Sequence, residues 1–337
     1  MSGLLVFAIV PADRIEPGLL APAEGLPPGL ETVVAAGFAA IVGTAPEGGL
    51  KGRDRGSLLP WLLASQKVIE RLMARGPVLP AALGSVLEDE SRVRHMLVCG
   101  QAALAAAFET LNGCWQTDLS VRWDLSRTVA HLMTELPPGL RAAAETGDET
   151  ARRSLGAALA GLVAGERRRI QSRIGAVLGA VARDLIVSDP VEPEGVVGVA
   201  LLVDAPASAQ VDAALDRLDG EFEGRLTFRL VGPLAPYSFA TVQIHLGPAA
   251  GLAGAHAELG LEAGAPLEAV KAAYHRLIVG LHPDLVPHGS PGDDADDAAS
   301  GKGGRAARFA AVTAAYRTLQ AEHAPVSLRR QDGLSPG

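Results

Sequence analysis

The sequence is poor in aromatic residues and in charge. Aromatic side chains make up 4% of the 337 residues and charged side chains 20%, whereas hydrophobic residues make up 48%. This hydrophobic content excludes an intrinsically disordered chain, and a core of small aliphatic side chains favours closely packed helices. Because the chain is longer than one ordinary domain, the composition predicts a globular protein of two or three domains.

Strong positive charge, long apolar runs and cysteine motifs are also missing. The net charge of −8 disfavours nucleic acid and anionic membranes as partners. No apolar run reaches the length of a membrane span, and no basic region precedes the first one, which is typical of a strand rather than a signal peptide. Cys99 and Cys114 have no CxxC spacing. The sequence leaves a disulfide between them as an alternative, but two reduced thiols fit a cytoplasmic protein better.

Sequence motifs of catalysis are absent as well. The chain contains no G-x-S-x-G, no G-x-x-x-x-G-K and no H-E-x-x-H. The acidic run at residues 293–297 lacks the ligand spacing of a calcium loop and is interpreted as a solvated linker. The charge run at residues 166–169 is interpreted as a solvated helix face with local ion pairs, with a nucleic-acid patch as the alternative. We therefore expect no catalytic residue, cofactor or metal site, although an enzyme with an unrecognised site remains an alternative.

Apolar periodicity predicts alternating strands and helices through the first 247 residues. The main predicted strands cover residues 4–10, 114–125, 196–203, 225–231 and 238–246. The main predicted helices cover residues 59–75, 89–111, 148–185 and 206–222. This order predicts an α+β fold with two ferredoxin-like units joined by the long helix at residues 148–185.

The most distinctive stretch is RLVGPLAPYSFAT, at residues 229–241. A glycine that permits a positive φ and two prolines that fix φ predict a stiff corner between strands. The two aromatic residues alternate with small ones, which predicts both rings on one buried face of the next strand. The residues that carry the pattern are Gly232, Pro233, Pro236, Tyr237 and Phe239.

This pattern, Gly-Pro-x-x-Pro-Tyr-Ser-Phe after a basic and apolar strand, resembles the hallmark of the gas vesicle protein F/L family (GvpF/GvpL). A second stretch, PVLPAALGSV at residues 77–86, is similar to the family's Val-Leu-Pro segment, although Ala82 and Leu83 replace its usual basic or aromatic pair. The resemblance covers roughly residues 1–247. It implies a non-catalytic accessory protein that assembles gas vesicles in the cytoplasm and binds the hydrophobic shell protein and other accessory proteins.

The C-terminal part has a different pattern. A helix from Leu267 carries apolar residues at steps of four, three and four, and a second helix at residues 305–321 carries a similar face. Two short amphipathic helices should pair as an antiparallel hairpin. The apolar residues on the two faces are Val270, Tyr274, Leu277, Leu281, Phe309, Val312, Tyr316 and Leu319.

Between these helices stands His-Pro-Asp, and the whole arrangement resembles a J-domain, the co-chaperone module that stimulates ATP hydrolysis by DnaK. The resemblance implies that His282, Pro283 and Asp284 contact DnaK and that Lys271 and Arg276 supply a basic helix face. The neighbouring acidic run at residues 293–297 opposes attraction to an acidic partner. A hairpin that serves only for docking therefore remains an alternative to DnaK recruitment.

The expected organisation has four regions. They are an N-terminal ferredoxin-like α+β domain (residues 1–125), a helical segment with a second α+β domain (126–247), a J-domain-like module (255–322) and a disordered tail (323–337). Two functions remain open for this organisation. One is a gas vesicle assembly protein whose tail recruits DnaK, and the other is a general J-domain co-chaperone whose first part binds unrelated clients.

Overall fold

The computed structural model describes residues 3–50, 52–136, 139, 149–190, 194–204, 208–281 and 301–333. In chain order, the strands are β1 (Leu4–Pro11), β2 (Glu31–Ala35), β3 (Phe38–Thr44), β4 (Leu79–Pro80), β5 (Val86–Leu87), β6 (Cys114–Trp123), β7 (Asp184–Ser188), β8 (Gly195–Asp204), β9 (Leu226–Leu234), β10 (Thr241–Ile244) and β11 (Val326–Arg329). The helices are α1 (Arg55–Met73), α2 (Glu90–Cys99), α3 (Gln101–Leu111), α4 (Leu125–Glu135), α5 (Glu149–Gly179), α6 (Ser208–Glu221), α7 (Leu252–Leu259), α8 (Leu267–Leu281) and α9 (Gly301–His323). The α+β class is thus confirmed.

The chain forms two compact units that are interleaved in sequence. Unit 1 contains Met1–Glu109 and Val242–Leu328, and unit 2 contains Thr110–Thr241 and Arg329–Gly337. A C-terminal segment therefore belongs to each unit. These limits differ from the consecutive regions expected from the sequence, because contacts between segments that are distant in the chain decide which of them pack together.

In unit 1, the central strand is β1. The sheet order is β2-β3-β1-β4, and β5 also pairs with β1. The apolar run that predicts β1 is buried along nearly its whole length, and β3 pairs with it antiparallel from Leu4↔Thr44 to Pro11↔Phe38. Helix α1 adds Val68, Ile69 and Leu72 to the buried residues of this unit.

Unit 2 contains a four-stranded sheet with the order β7-β8-β6-β9. Among the described residues, two helices lie between β6 and β7 in sequence and one lies between β8 and β9, which is the βαββαβ order of a ferredoxin-like unit. Its apolar core joins strand residues such as Leu119 and Val199 to Ile174 of α5 and Leu218 of α6. The ferredoxin-like order therefore begins at Cys114, and α5 packs within this unit.

Helix α5 is shorter than predicted. The predicted helix at residues 148–185 is wrong at its C-terminal end, because α5 ends at Gly179 and β7 follows. The carbonyl of Leu178 accepts hydrogen bonds from the N–H groups of Val181 (3.1 Å) and Ala182 (2.9 Å), which turns the chain. Leu185 continues the apolar period of the helix, but β7 pairs with β8 instead and buries Ile186.

The end of the chain contains a strand where the sequence predicts disorder. Strand β11 pairs with β10, and the N–H of His245 donates to the carbonyl of Pro325 (2.9 Å). Val326 is buried, and a Cβ atom on Gly100 would lie 2.8 Å from its Cγ2. Packing against a glycine far away in sequence thus orders a segment whose own composition is that of a tail.

The Gly-Pro dipeptide lies inside β9 and does not form the predicted corner. Val231 pairs with Asp118 and Leu234 pairs with Gln116, so β9 contains one residue more than β6 at this point. Such an extra residue is a β-bulge. Gly232 does not adopt a positive φ. Glycine is required there because a Cβ atom would lie 2.8 Å from Thr117 Oγ1.

We therefore expect Gly232→Ala to destabilise the protein by about 1–3 kcal/mol, since Thr117 or the β6 backbone must shift to admit the new methyl group. Urea-induced unfolding of the full chain measures this difference. Gly220→Ala is the matched control in the same unit, because its Cβ atom would meet nothing within 4 Å. A Gly232→Ala variant as stable as this control would show that the bulge tolerates a side chain.

Candidate functional site

The segment that follows β9 is held by a buried amide. Gln116 of β6 is only 2% exposed. Its Oε1 accepts a hydrogen bond from the N–H of Ser238 (2.9 Å), and its Nε2 donates to Ser238 Oγ (3.1 Å) and to Asp118 Oδ1 (2.7 Å). Burial raises the pKa of Asp118. Because a buried amide without partners is costly, these bonds fix the segment on β6.

The two aromatic residues of this segment have different environments. Tyr237 is 37% exposed and Phe239 is 9% exposed, so the prediction of two rings on one buried face is wrong. The reason is that residues 237–239 form a turn, in which the N–H of Ala240 donates to the carbonyl of Pro236 (2.8 Å), and β10 begins only at Thr241. The Arg330 guanidinium lies 5.5 Å from the centre of the Phe239 ring.

The C-terminal helices form the predicted hairpin. The rings of Tyr274 on α8 and Tyr316 on α9 stack with their centres 4.2 Å apart. His323, at the end of α9, lies 3.0 Å through Nε2 from the carbonyl oxygen of Ala265, just before α8, so the two helices are antiparallel. The residues buried in this cluster are Ala255, Leu259, Val270, Ala273, Val312, Ala315 and Leu319.

The tripeptide His282-Pro283-Asp284 lies outside the described residues, directly after the end of α8 at Leu281. Lys271 and Arg276 are five residues apart on α8, so they point about 140° away from each other around the helix. The Lys271 ammonium also pairs with Glu268 (2.9 Å), which raises the pKa of Lys271. The two basic side chains therefore do not form a common positive surface on α8.

A buried ion pair joins the hairpin to the N-terminal part of unit 1. Helix α2 begins where the Asp89 carboxylate accepts a hydrogen bond from the N–H of Arg92 (2.9 Å). The Arg92 side chain then donates to both carboxylate oxygens of Glu322 on α9, at 2.7 and 2.6 Å. The two side chains are only 9% and 15% exposed. The hydrogen bonds that Arg92 donates to Glu322 raise the pKa of Arg92.

Further contacts hold the segment between β10 and α7. Arg92 Nη2 also donates to the carbonyl of Gly247 (2.9 Å), and Glu88 Oε2 accepts from the N–H of Ala249 (3.0 Å). His95 Nε2 lies 3.2 Å from Glu322 Oε2. Sequence reasoning missed this cluster, because Arg92 and Glu322 are 230 residues apart and neither carries a local motif.

The described part of the chain brings no group of three or more His, Cys, Asp or Glu residues together for a metal ion. Both cysteines are free. Partial burial and the charge of Glu322 raise the pKa of Cys99, and burial raises that of Cys114 to about 11. Thiols with raised pKa values are poor nucleophiles at neutral pH. Nor does any described helix have the length and hydrophobicity needed to cross a bilayer.

Side chains of the charge run at residues 166–169 form hydrogen bonds and a ring contact within unit 2. Glu166 accepts two hydrogen bonds from Arg169 (2.7 and 2.8 Å) and one from Arg225 (3.4 Å), and these partners lower its pKa. The Arg167 guanidinium lies 5.2 Å from the centre of the Trp123 ring. These contacts agree with the interpretation as local ion pairs.

Comparison with known proteins gives one family. The family model described as "Gas vesicle synthesis protein GvpL/GvpF" matches residues 3–241. Crystal structures of gas vesicle protein GvpF from Anabaena sp. PCC7120 and from Microcystis aeruginosa are similar to the chain, with TM-scores of 0.57 and 0.55 and 21% sequence identity in both cases. The matches cover 70% and 71% of this chain and 95% and 98% of the two structures. No curated protein sequence matches the chain.

We expect Arg92→Met to lower the free energy of unfolding by about 3 kcal/mol, because it leaves the buried Glu322 carboxylate without its partner. Arg94→Met, two residues further along α2, is the control. Arg94 pairs with Glu90 at a site where both side chains are more than half exposed, and such surface pairs contribute about 1 kcal/mol or less. Chemical denaturation of the two variants checks this, and equal losses of stability would contradict the role of the buried pair.

Proposed function

The chain belongs to the GvpL/GvpF family of gas vesicle synthesis proteins, and on this basis we propose that it is a non-catalytic assembly protein of the gas vesicle in the cytoplasm. The observation that carries the proposal is the family match over residues 3–241. In this role the chain binds the hydrophobic shell protein and other accessory proteins. A shell subunit with a large apolar face aggregates unless a partner covers it, and a folded α+β body is suited to that task.

Helix α1 offers a surface for such a partner. The Asp54 carboxylate caps the helix by accepting hydrogen bonds from the N–H groups of Gly56 (2.9 Å) and Ser57 (3.2 Å). The next turns expose Leu59 (54%), Leu62 (47%) and Leu63 (54%), together on the first half of the helix. Exposed leucines in one cluster favour an apolar protein surface as partner.

The C-terminal hairpin supports a second, finer role, which is the recruitment of DnaK. The order of a helix, His282-Pro283-Asp284 and a second helix resembles a J-domain, and the described helices pack as an antiparallel pair. Lys271 and Arg276 point in different directions around α8, which indicates weak electrostatic attraction to an acidic chaperone surface. The general co-chaperone alternative shares this hairpin and differs only in the clients that it binds.

For the assembly role, the full chain co-expressed with the shell protein should retain the shell protein in a pull-down. The variant Leu59→Ser/Leu62→Ser/Leu63→Ser should retain at least about tenfold less, since it removes the exposed apolar cluster. Val279→Ser, which changes an apolar residue that is 60% exposed on α8, is the control and should retain as much as the unchanged chain. A wild-type pull-down dominated by diverse unfolded proteins would favour the general co-chaperone instead.

For the DnaK role, His282→Gln should abolish the stimulation of DnaK ATP hydrolysis by the full chain. His288→Gln makes the same chemical change outside the tripeptide and should leave the stimulation unchanged. Steady-state ATPase rates with purified DnaK measure both. If the chain does not stimulate DnaK, or if His282→Gln stimulates as well as the wild type, DnaK recruitment through the tripeptide is excluded.

A further inference from the structure

Strand β9 is an edge strand of the unit 2 sheet, buried at Leu226 and exposed over most of its further length. In the sheet order β7-β8-β6-β9 it pairs only with β6, and no other described backbone group bonds to it. Leu230 is 39% exposed and Val231 is 42% exposed, although both lie in the middle of a strand of nine residues. A long apolar edge of this kind is a template for another strand.

At the opposite edge of the same sheet, residues 330–333 lie against strand β7. Arg330 forms an ion pair with Asp184 of β7, and its Nη2 donates to the carbonyl of Leu185 (3.3 Å). A Cβ atom on Gly333 would lie 3.1 Å from the carbonyl oxygen of Val187, so the backbone passes directly against the strand. Residues 330 and 333 therefore lie against β7, whereas no described backbone group other than those of β6 bonds to β9.

The alternating hydrogen bonds of the antiparallel β6–β9 pair identify which backbone groups of β9 do not bond to β6. The N–H of Asp124 donates to the carbonyl of Arg225 (3.2 Å), in register with the β6–β9 pairs. In an antiparallel ladder every second residue bonds to the same neighbour, so residues 227, 229 and 231 bond to β6. The N–H and C=O groups of Phe228 and Leu230 then point away from the sheet. Pairing stops at Pro233, which has no N–H, and at the bulge beside it.

We infer that a second copy of this chain pairs with this edge, antiparallel and about a two-fold axis at Phe228. This register sets Phe228 opposite Phe228 of the second copy, Leu226 opposite Leu230, and Thr227 opposite Arg229. Aromatic and aliphatic pairs across strands are favourable. A register centred on Arg229 would place two guanidinium groups opposite each other, which is unfavourable. The edge is thus complementary to itself over residues 226–230, and the pairing is a closed, symmetric contact.

Sedimentation equilibrium of the full chain tests this inference. The wild type should form a concentration-dependent dimer. Leu230→Pro removes an outward N–H without touching the β6 ladder, and by symmetry each dimer loses two hydrogen bonds, so the dissociation constant should rise about 30-fold. Leu230→Val keeps the N–H and the apolar side chain and should dimerise like the wild type. A monomeric wild type, or dimerisation of Leu230→Pro with unchanged affinity, would overturn the inference.

A cross-linking experiment tests the register even if Leu230→Pro does not fold. Thr227→Cys and Arg229→Cys are made as separate full-length variants in a Cys99→Ser background and are oxidised with oxidised glutathione. Opposite residues in this register have Cα atoms about 4.5 Å apart, within disulfide range. A disulfide-linked dimer should form in the mixture and not in either variant alone. Cross-links in a single variant, or none in the mixture, would overturn the register.

Discussion

The position of the C-terminal hairpin depends on one buried ion pair, Arg92 with Glu322. Two charges taken out of water are tolerated only when they bond to each other and to other polar groups. The Arg92 guanidinium meets this condition by bonding to both oxygens of Glu322 and to the carbonyl of Gly247. Helix α9 therefore has one favourable placement against α2, and the strand pair β10–β11 lies beside it. Residues 242–328, which follow the family match, are in this way part of unit 1 and not an appendage to it.

Unit 2 depends on a comparable constraint, in which Gln116 bonds to Ser238 and Gly232 lies against Thr117. The distinctive Gly-Pro-x-x-Pro-Tyr-Ser-Phe pattern is thus explained by backbone geometry: a bulge, a buried amide and a turn. No chemistry of its own is needed to account for these residues. The same bulge ends the open part of β9, so one short pattern both anchors the segment and limits the edge that a second strand can reach.

Local periodicity was sufficient to predict the α+β class, most helices and the antiparallel hairpin, because each of these depends on apolar residues at a regular spacing. It failed where a contact between residues far apart in the sequence determines the local structure. Leu185 fits the period of a helix but lies in β7, and Tyr237 fits a buried strand face but lies in a turn. Neither Arg92 nor Glu322 carries a signal in a single sequence, since each is an ordinary charged residue on an amphipathic helix. The role of Gly232 was predicted as a positive φ and is instead a close approach to Thr117.

The central claim, that the hairpin unfolds together with the rest of unit 1, is tested most directly by native-state hydrogen exchange of the full chain. Amides near Val312 in α9 and near Ile9 in β1 should open with the same free energy, within about 1 kcal/mol, because a single cooperative unit opens as a whole. Exchange in α9 at a much lower free energy than in β1 would contradict the claim. It would show that the hairpin opens on its own and that the Arg92–Glu322 pair does not hold it in place.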